Sequence, residues 1–377
     1  RSRFSSDERC GGRHNRLRES GHGSRGTVSP VFMEQTQCTN CVMDKSAREI
    51  SFDADGVCNF CKEAQRELFM NKGKELYFPF LVEEIKAAGK GKKYDCLIGL
   101  SGGVDSSMVL HHAVSLGLRP LCFSVDNGWN DPRADENIMR LVETLKVPFY
   151  KYTINLEKFR ELQSAFMRAG QVNLEIPTDH ILMATTFEMA AKNGIKYILS
   201  GGNVATESIM PASWSYNARD LVHIKDIYRT MIGKRLTGLP VCSLLKWNWY
   251  RWVKRQKTVY LLDYLVYNRK DSIEFLEKTY GYKSYGEKHC ESTFTWWFQN
   301  FYLFEKFGID KRKAHLSSLI NSGQMTRDEA LAVLNENPVY PRIGLEERAM
   351  RYSWRPHTDF KTDKNYDRIT RFIRLWK

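Results

Sequence analysis

Short apolar runs alternate with amphipathic, helix-like stretches through the middle of the chain. Four runs predict buried β-strands, at 95–100, 120–126, 149–154 and 196–200. A helical pattern follows each of the first three runs, near 105–116, near 133–145 and in a stretch that closes at Gly170. Another, at about 178–193, precedes the fourth run. Strand and helix that alternate at this spacing predict right-handed βαβ units. We therefore expect an α/β fold whose parallel sheet carries helices on both faces, with ligands at the carboxyl ends of the strands.

The pattern changes near residue 210 to one that is mainly helical and rich in aromatic residues. Tryptophans occur at near-helical spacing at 247–252 and again at 296–297, which is more typical of a core or interface than of a base-stacking surface. Thr326 and Glu329 predict a capping box at the start of a short helix. The predicted organisation is a leader at 1–32, a cysteine-rich module at 34–70, the α/β domain at 71–209 and a helical region at 210–377.

Residues 1–32 contain seven arginines and only three acidic residues among many serines and glycines. Such a composition cannot bury enough apolar surface to offset the entropy of ordering, so this segment is expected to be disordered. A tag or a leader translated upstream of Met33 is one interpretation, and a basic arm for nucleic acid is the other. The net charge falls from +13 to +9 without it and stays basic.

The composition is that of a globular protein with an anionic partner. The 377 residues are 42% hydrophobic and 27% charged, and 57 Lys and Arg outnumber 44 Asp and Glu. The excess of positive charge suits a nucleotide, an acidic sugar, RNA or a membrane surface. No apolar run approaches the roughly 18 residues that a membrane-spanning helix needs.

Four of the nine cysteines form two CxxC pairs, Cys38 with Cys41 and Cys58 with Cys61. Two such pairs place four thiolates around one tetrahedral metal, so we predict a structural zinc ion, with an iron–sulfur cluster or a redox pair as alternatives. The odd cysteine count in a chain of this size argues against a secreted disulfide framework and favours a reducing, cytoplasmic location. Cys96 and Cys122 fall in predicted strands and are expected to be inert.

A glycine- and serine-rich segment, Ser101-Gly-Gly-Val-Asp-Ser-Ser107, connects the first predicted strand to its helix. Its backbone amides and hydroxyl groups are suited to phosphate, and Asp105 is suited to Mg²⁺. The segment resembles the loop of the PP-loop ATP pyrophosphatases. The resemblance implies that ATP is bound by the following residues of this loop: Ser101, Gly102, Gly103, Asp105, Ser106 and Ser107.

Two further segments fit the same resemblance. Asp126 and Asn127 stand where that superfamily recognises adenosine. The segment from Gly201 to Glu207 resembles its second nucleotide motif, which implies phosphate contact by Thr206 and a second Mg²⁺ ligand in Glu207. A solvated acid at a helix start is the alternative for Glu207. A basic residue in the superfamily reaches the pyrophosphate, and Lys311, Arg312 and Lys313 are the candidates, although a charge run is more often a solvated face.

The superfamily splits ATP between its α and β phosphates. A substrate oxygen attacks the α-phosphorus, and a nitrogen or sulfur nucleophile then displaces AMP. Positioning and charge neutralisation carry such chemistry, so a Ser-His-Asp arrangement is not required.

Over residues 38–377 the chain resembles a narrower group, the N-acetyl sugar amidotransferases of bacterial surface-polysaccharide and O-antigen synthesis. The paired cysteines before the loop, Asp179-His180 and the segment 310–318 carry this resemblance. It implies that the acetamido oxygen of a nucleotide-linked N-acetyl sugar is adenylylated and replaced by ammonia-derived nitrogen. The ammonia is implied to come from separate glutaminase and barrel-type subunits, similar to those of imidazole glycerol phosphate synthase.

Two other functions remain open from the sequence. A tRNA thiolase would suit the basic charge and the paired cysteines, but it needs a sulfur-carrying cysteine, for which only Cys242 and Cys290 are free. A binding module without catalysis is the third reading, although the intact loop disfavours it.

The sugar pocket is predicted to use His223, His289 and Glu291, with a structural role as the alternative for each histidine. Asp179 is read more simply as a helix cap. The aromatic and basic stretch at 247–255 is a predicted surface for the ammonia donor.

Overall fold

The structure is a computed structural model that describes residues 35–286 and 288–365 of the chain. The predictions made for residues 1–32 lie outside the described residues. No helix in the described ranges is both long and apolar enough to cross a membrane.

Five strands form one parallel sheet, in the order β3-β2-β1-β4-β5. They are β1 (Cys96–Gly99), β2 (Pro120–Asp126), β3 (Phe149–Thr153), β4 (Tyr197–Ser200) and β5 (Lys257–Tyr260). The predicted α/β fold is therefore confirmed. The strand order changes direction between β1 and β4, and ligands of open α/β sheets bind at such a point, beyond the carboxyl ends of the strands.

The fifth strand was not predicted, because it lies in the region expected to be helical. Only Val259 among its four residues is buried, so its sequence carries no apolar run or alternation to mark a strand. β5 pairs with β4 from Lys257 to Tyr260 and widens the sheet at its edge.

Fifteen α-helices are present in the described part of the chain. The first seven are α1 (Asn59–Asn71), α2 (Lys74–Gly89), α3 (Val104–Ser115), α4 (Pro132–Thr144), α5 (Leu156–Arg168), α6 (Ile176–Lys192) and α7 (Val204–Glu207). The others are α8 (Leu221–Ile232), α9 (Leu244–Asn248), α10 (Arg269–Tyr280), α11 (Thr293–Trp297), α12 (Leu303–Phe307), α13 (Arg312–Asn321), α14 (Arg327–Leu334) and α15 (Glu346–Arg351). A π-helical turn, Trp249–Val253, continues α9, and another, Phe298–Tyr302, joins α11 to α12. Both hydrogen bonds of the predicted capping box are present at the start of α14.

Apolar layers cover both faces of the sheet, as predicted. Cys96 and Ile98 of β1 pack with buried residues of α2, α3, α4 and α10. Leu97, which lies between them and therefore points the other way, packs with Phe159 of α5 and Ile181 of α6. β1, β2 and β4 are mainly buried and appear as continuous apolar runs, which is why they could be found in the sequence.

A third apolar core joins the paired cysteines to the helices that follow the sheet. The four cysteines lie in one cluster with residues of α8, α11, α12 and the π-helical turn between the last two, including the fully buried Trp297 and Tyr302. The tryptophan-rich segment at 296–297 therefore contributes to a core. The division of the chain at residues 70 and 209 stays a prediction.

Candidate functional site

The loop between β1 and α3 has the backbone of an anion-binding site. At Gly102 φ is +83°, and an added Cβ would lie 2.6 Å from the carbonyl oxygen of Ala134, so only glycine fits. Gly103 is the N-cap of α3 and has no side chain to cover the first-turn amides. Those N–H groups remain available to a phosphate at the positive end of the helix dipole.

Serine hydroxyls hold the loop in this shape. Ser106 and Ser107 both donate to the carbonyl oxygen of Gly103, at 3.1 and 2.9 Å. The Ser101 hydroxyl accepts from the N–H of Gly103 at 3.2 Å. Ser101, Gly103 and Ser106 line the cavity above the loop, whereas Gly102 and Ser107 are not among its lining residues and support the loop from outside.

A second glycine-containing loop follows β4 and closes against the first. A Cβ on Gly201 would lie 2.9 Å from the backbone nitrogen of Ser106, so the close approach depends on glycine. The contact brings Glu207 of α7 together with Asp105 at a small cavity of 230 Å³. The structure thus unites the two predicted Mg²⁺ ligands.

Lys288 lies between these two carboxylates. Its ammonium nitrogen is 3.2 Å from Asp105 Oδ2, 2.8 Å from Glu207 Oε1 and 2.7 Å from the hydroxyl oxygen of Thr206. The Tyr267 hydroxyl donates to the other oxygen of Asp105. Thr206 is therefore buried behind the cavity as a partner of Lys288 and does not line it.

The residues present fit a Mg²⁺ ion. Carboxylate oxygens such as those of Asp105 and Glu207 are the ligands that Mg²⁺ prefers, and ATP phosphates commonly supply the remainder. A lysine ammonium already bridges the two groups, so the site is organised around positive charge.

A larger cavity of 600 Å³ adjoins the small one. Both are lined by Gly99, Ser101, Glu207, His289 and Glu291, so they form one continuous site beyond the ends of β1 and β4.

The end of β2 forms one wall of the larger cavity. Phe123, Val125 and Asn127 line it, so Asn127 lies where an adenosine contact was predicted. Asp126 does not line either cavity. It accepts from the N–H of Gly128 at 2.9 Å and lies 3.4 Å from Lys151, so the predicted adenosine contact by Asp126 is not supported.

Four ionisable side chains stand on another wall of the larger cavity, namely Glu175 and Asp179 at the start of α6 and Lys311 and His315 at the start of α13. Burial raises the pKa of Glu175 to about 8, with the Asp179 charge adding to the effect. Asp179 is exposed to the cavity, and the surrounding protein raises its pKa to about 7. Burial lowers the pKa of Lys311 to about 8. Desolvation also keeps the pKa of His315 below its usual range.

Asp179 does not cap its helix. α6 begins at Ile176 with Glu175 in the N-cap position, and the N–H of Asp179 donates to the carbonyl oxygen of Glu175. Asp179 thus lies one turn into α6, on the same face as Glu175. His180 has a structural role, since its ring bonds the carbonyl oxygen of Ala218 and accepts from the N–H of Cys242.

His289 and Glu291 lie beside the phosphate-binding loop and line both cavities. Burial lowers the pKa of His289 to about 3, aided by the charge of Lys288, so the ring is neutral at physiological pH. Burial raises the pKa of Glu291. Their contact with a sugar stays a prediction.

Two predicted site residues lie elsewhere. His223 is fully buried among Phe166, Tyr216 and Phe360 and lines neither cavity. Arg312 turns away from Lys311, because its guanidinium bonds Asp310 at 2.8 Å and the carbonyl oxygen of Val333. The structure therefore supports Lys311 and gives no support to His223 or Arg312 as site residues.

The four cysteines of the CxxC pairs form one buried cluster, whose Sγ atoms all lie within 4.8 Å of one another. The N–H of Cys41 donates to Cys38 Sγ, and the side-chain amides of Asn40 and Asn321 donate to Cys61 Sγ at 3.3 Å. Four thiols that receive N–H donors suit a tetrahedral metal such as zinc. We call this group the cysteine tetrad.

Helix α13 connects the cysteine tetrad to the cavity. Near its end, the Ser317 hydroxyl accepts from the N–H of Val42 at 3.2 Å, and Asn321 reaches Cys61. At its start, Lys313 pairs with Asp44, while Lys311 and His315 face the cavity. The metal module thus supports the wall that carries Lys311.

Sequence reasoning missed Lys288, Arg269, Tyr282 and Glu175, all of which line the site. Lys288 lies in an irregular segment between α10 and α11, where no periodic pattern or motif marks it. That segment is held against α4 by Asn137, whose side chain bonds the carbonyl oxygen and the N–H of Lys283. Nothing in the sequence around Asn137 indicates that its side chain holds this distant segment in place.

The strand order, the loop after β1 and the glycine contact at β4 define an α/β protein with a phosphate-binding loop at its switch point. Residues 291–352 match a protein family described as LPS biosynthesis protein WbpG-like, C-terminal domain. This match confirms, over that segment, the resemblance to surface-polysaccharide synthesis proteins. No curated protein matches the sequence.

Two solved structures are similar to parts of the chain. An NH3-dependent NAD synthetase from Campylobacter jejuni subsp. jejuni in complex with the nitrate ion is 15% identical, over 38% of this chain and 58% of its own length, with a TM-score of 0.26. An NMN synthetase from Francisella tularensis is 15% identical, over 53% of this chain and 97% of its own length, with a TM-score of 0.29. The fold assignment rests on the strand order and loop geometry given above.

Proposed function

We propose that this protein is an ATP-dependent, AMP- and pyrophosphate-forming amidotransferase that acts on a nucleotide-linked N-acetyl sugar. The acetamido oxygen attacks the α-phosphorus of ATP, and ammonia-derived nitrogen then displaces AMP to leave an acetamidino sugar. The product serves lipopolysaccharide or O-antigen synthesis.

One observation carries this proposal: the segment similar to an LPS biosynthesis family lines the cavity that opens onto the phosphate-binding loop. Residues from 291–352 contribute Glu291, Ser292, Thr295, Phe298, Gln299, Leu303, Lys311 and His315 to that cavity. A 600 Å³ space beside the loop is of the size of small-molecule sites and accommodates a polar sugar derivative together with part of the nucleotide.

The residues of the chain act by binding and by charge neutralisation. The loop amides and the α3 N-terminus hold phosphate oxygens, and Asn127 contacts the nucleoside part. Asp105 and Glu207 would hold Mg²⁺, which neutralises the pyrophosphate when bound. Lys288 supplies positive charge beside the phosphate oxygens, and Lys311 presents a second ammonium group in the adjoining cavity.

The ammonia donor is proposed to be a separate glutaminase with a barrel-type channelling subunit. Trp249 and Trp252 are 42% and 58% exposed, and the Arg251 guanidinium lies over the Trp252 ring, so the stretch at 247–255 offers an aromatic, basic surface. Replacing Trp249 and Trp252 by alanine should lower glutamine-dependent turnover at least about tenfold and leave ammonium-dependent turnover unchanged. An equal effect on both would remove this surface from the proposal.

A cytoplasmic location accompanies the proposal. Reduced thiols are required at the cysteine tetrad, and its four cysteines are free thiols.

The rival function, a tRNA thiolase, has weaker support in the described residues. Cys242 and Cys290 are both buried, and neither lines the two cavities. Cys242 instead packs beside Trp247 and Tyr250. A cysteine that carries sulfur must reach the activated nucleotide.

The test incubates the purified protein with ATP, MgCl₂ and ammonium chloride and measures AMP and pyrophosphate against two panels. One panel contains nucleotide-linked N-acetyl sugars, and the other contains bulk tRNA with a sulfur donor. The expected product is a sugar lighter by about one mass unit, because NH replaces O. Turnover restricted to tRNA would overturn the proposal in favour of the thiolase.

A further inference from the structure

The larger cavity contains an acidic pair that the nucleotide does not explain. Glu175 and Asp179 lie one helical turn apart, at the start of α6. Both line the larger cavity, which also extends to the carboxyl end of β1. No lysine, arginine or histidine nitrogen of the described ranges lies within 4 Å of either carboxylate. Two neighbouring carboxyl groups without a cation make this wall selective for a small positive ligand.

Unpartnered groups at the same wall support a ligand there. Glu175 is 9% exposed, and its Oε1 and the Thr178 hydroxyl make no hydrogen bond of ordinary geometry, although the hydroxyls of Thr178 and Thr295 lie close enough to lower the pKa of Glu175. Lys311 is 8% exposed, and among the described residues its ammonium group contacts the sulfur of Met210 and the face of the Trp214 ring. Buried polar groups are rarely left without partners, so a bound molecule is expected to complete their hydrogen bonds.

We propose that Glu175 and Asp179 bind ammonium and that the Asp179 carboxylate accepts its proton, which makes the nucleophile of the second half-reaction. This inference rests on the proposed function. The cation fits between the Asp179 carboxylate and an oxygen of the Glu175 carboxyl group, and the Thr178 hydroxyl oxygen accepts from one of its N–H groups. The positive charge of Lys311, at the start of α13, favours the ionised form of Asp179.

The step balances in atoms and charge. One N–H bond of ammonium breaks, its electron pair stays on nitrogen, and the proton moves to Asp179 and then to solvent. The nitrogen pair forms a C–N bond to the adenylylated carbon, and the C–O bond to AMP breaks with its electrons leaving on AMP. A second proton passes from the attacking nitrogen to the sugar nitrogen, so the product is the amidinium ion and this half-reaction releases one proton. The original amide proton is lost earlier, when the adenylate forms.

The environment suits a proton acceptor at neutral pH. The surrounding protein raises the pKa of Asp179 to about 7, and the residue itself is exposed to the cavity. The groups that face the pair from other elements are Lys311 and His315 of α13, Glu207 of α7, and His289 and Glu291 of the segment before α11. A carboxyl group titrating in this range can take a proton from ammonium and return it to water.

The test separates the two half-reactions in Asp179→Asn and Glu175→Gln, with Glu188→Gln as the matched control. Glu188 is also on α6 but pairs with Lys192 and Lys246 away from the cavity. Sugar-dependent exchange of pyrophosphate into ATP, without ammonia, measures adenylylation. Amidine formation measures the KM for ammonium chloride, and hydroxylamine, which is neutral at about pH 8, replaces ammonium in a third assay.

We expect both cavity variants to raise the KM for ammonium by about tenfold or more, to retain exchange within about twofold and to retain turnover with hydroxylamine. The Glu188→Gln protein should match the wild type in all three assays. If both cavity variants retain exchange and their KM for ammonium is unchanged, this inference is overturned while the proposed function stands. Absence of sugar-dependent exchange in the wild type would overturn the proposed function and this inference with it.

Discussion

Lys288→Met is the most direct test of the ion cluster at the phosphate-binding loop. The substitution keeps the aliphatic stem and removes the ammonium group that bonds Asp105, Glu207 and Thr206. Removing one partner of a fully buried ion pair costs about 3–5 kcal/mol. Here the side chains of the lysine and its two carboxylate partners are 12%, 18% and 32% exposed, so solvent screens part of the loss. We expect unfolding to become easier by about 2 kcal/mol.

Urea unfolding followed by tryptophan fluorescence measures this change. With a slope of about 3 kcal/mol per molar urea, the midpoint should fall by about 0.7 M. Millimolar MgCl₂ should restore part of the loss in the variant and change the wild type less, because the two carboxylates then lack their resident cation.

Lys283→Met is the matched control for this experiment. Lys283 lies on the same segment as Lys288 and pairs with Glu136 of α4, but both side chains are nearly half exposed. Its loss should cost below about 0.5 kcal/mol. Equal losses in the two variants, or a Lys288→Met protein as stable as the wild type, would refute the account of a buried cation at the loop.

Three further outcomes are expected. Gly102→Ala should lower AMP formation by about a hundredfold, because the added Cβ would clash with the Ala134 backbone. Gly117 has a similar φ but open space around an added Cβ, so Gly117→Ala should retain AMP and pyrophosphate formation. Cys61→Ser should release metal measurable by mass spectrometry and lower the thermal midpoint, and unchanged metal content would contradict the tetrad. Burial raises the pKa of Glu175 from 4.5 to about 8. Between these two pH values the folded protein keeps the Glu175 proton and the unfolded chain has lost it, so the free energy of unfolding falls as pH rises across this range. Glu175→Gln should flatten this fall between pH 5 and 8 in urea titrations, and an unchanged slope would count against the burial argument.

The sequence revealed those parts of the molecule whose signal is local. Strands buried on both faces appear as apolar runs, and the loop at 101–107 needs glycine and serine at fixed positions. β5 has one buried residue and escaped notice. Its place in the sheet depends on pairing with β4, which lies some sixty residues earlier and leaves no mark in the local pattern.

The candidate site shows the same limit. Lys311 and Arg312 are adjacent and equally basic, but successive helical positions point about 100° apart, so one reaches the cavity and the other bonds Asp310. His223 was a reasonable polar candidate until the core around it was known. Lys288 could not be selected among 57 basic residues, because its importance comes from two carboxylates more than 80 positions away in sequence.

The connection of α13 to the cysteine tetrad has a consequence for the order in which the chain is completed on the ribosome. Val42 and its partner Ser317 are 275 positions apart, so the cysteines are synthesised long before the helix that shields them. At bacterial elongation rates of about 5–20 residues per second, the thiols wait roughly 14–55 seconds for Asn321 and Ser317. Until then the cysteine tetrad lacks the N–H donor of Asn321, and the cavity wall that carries Lys311 is incomplete. The tetrad and this wall therefore reach their final contacts only late in synthesis.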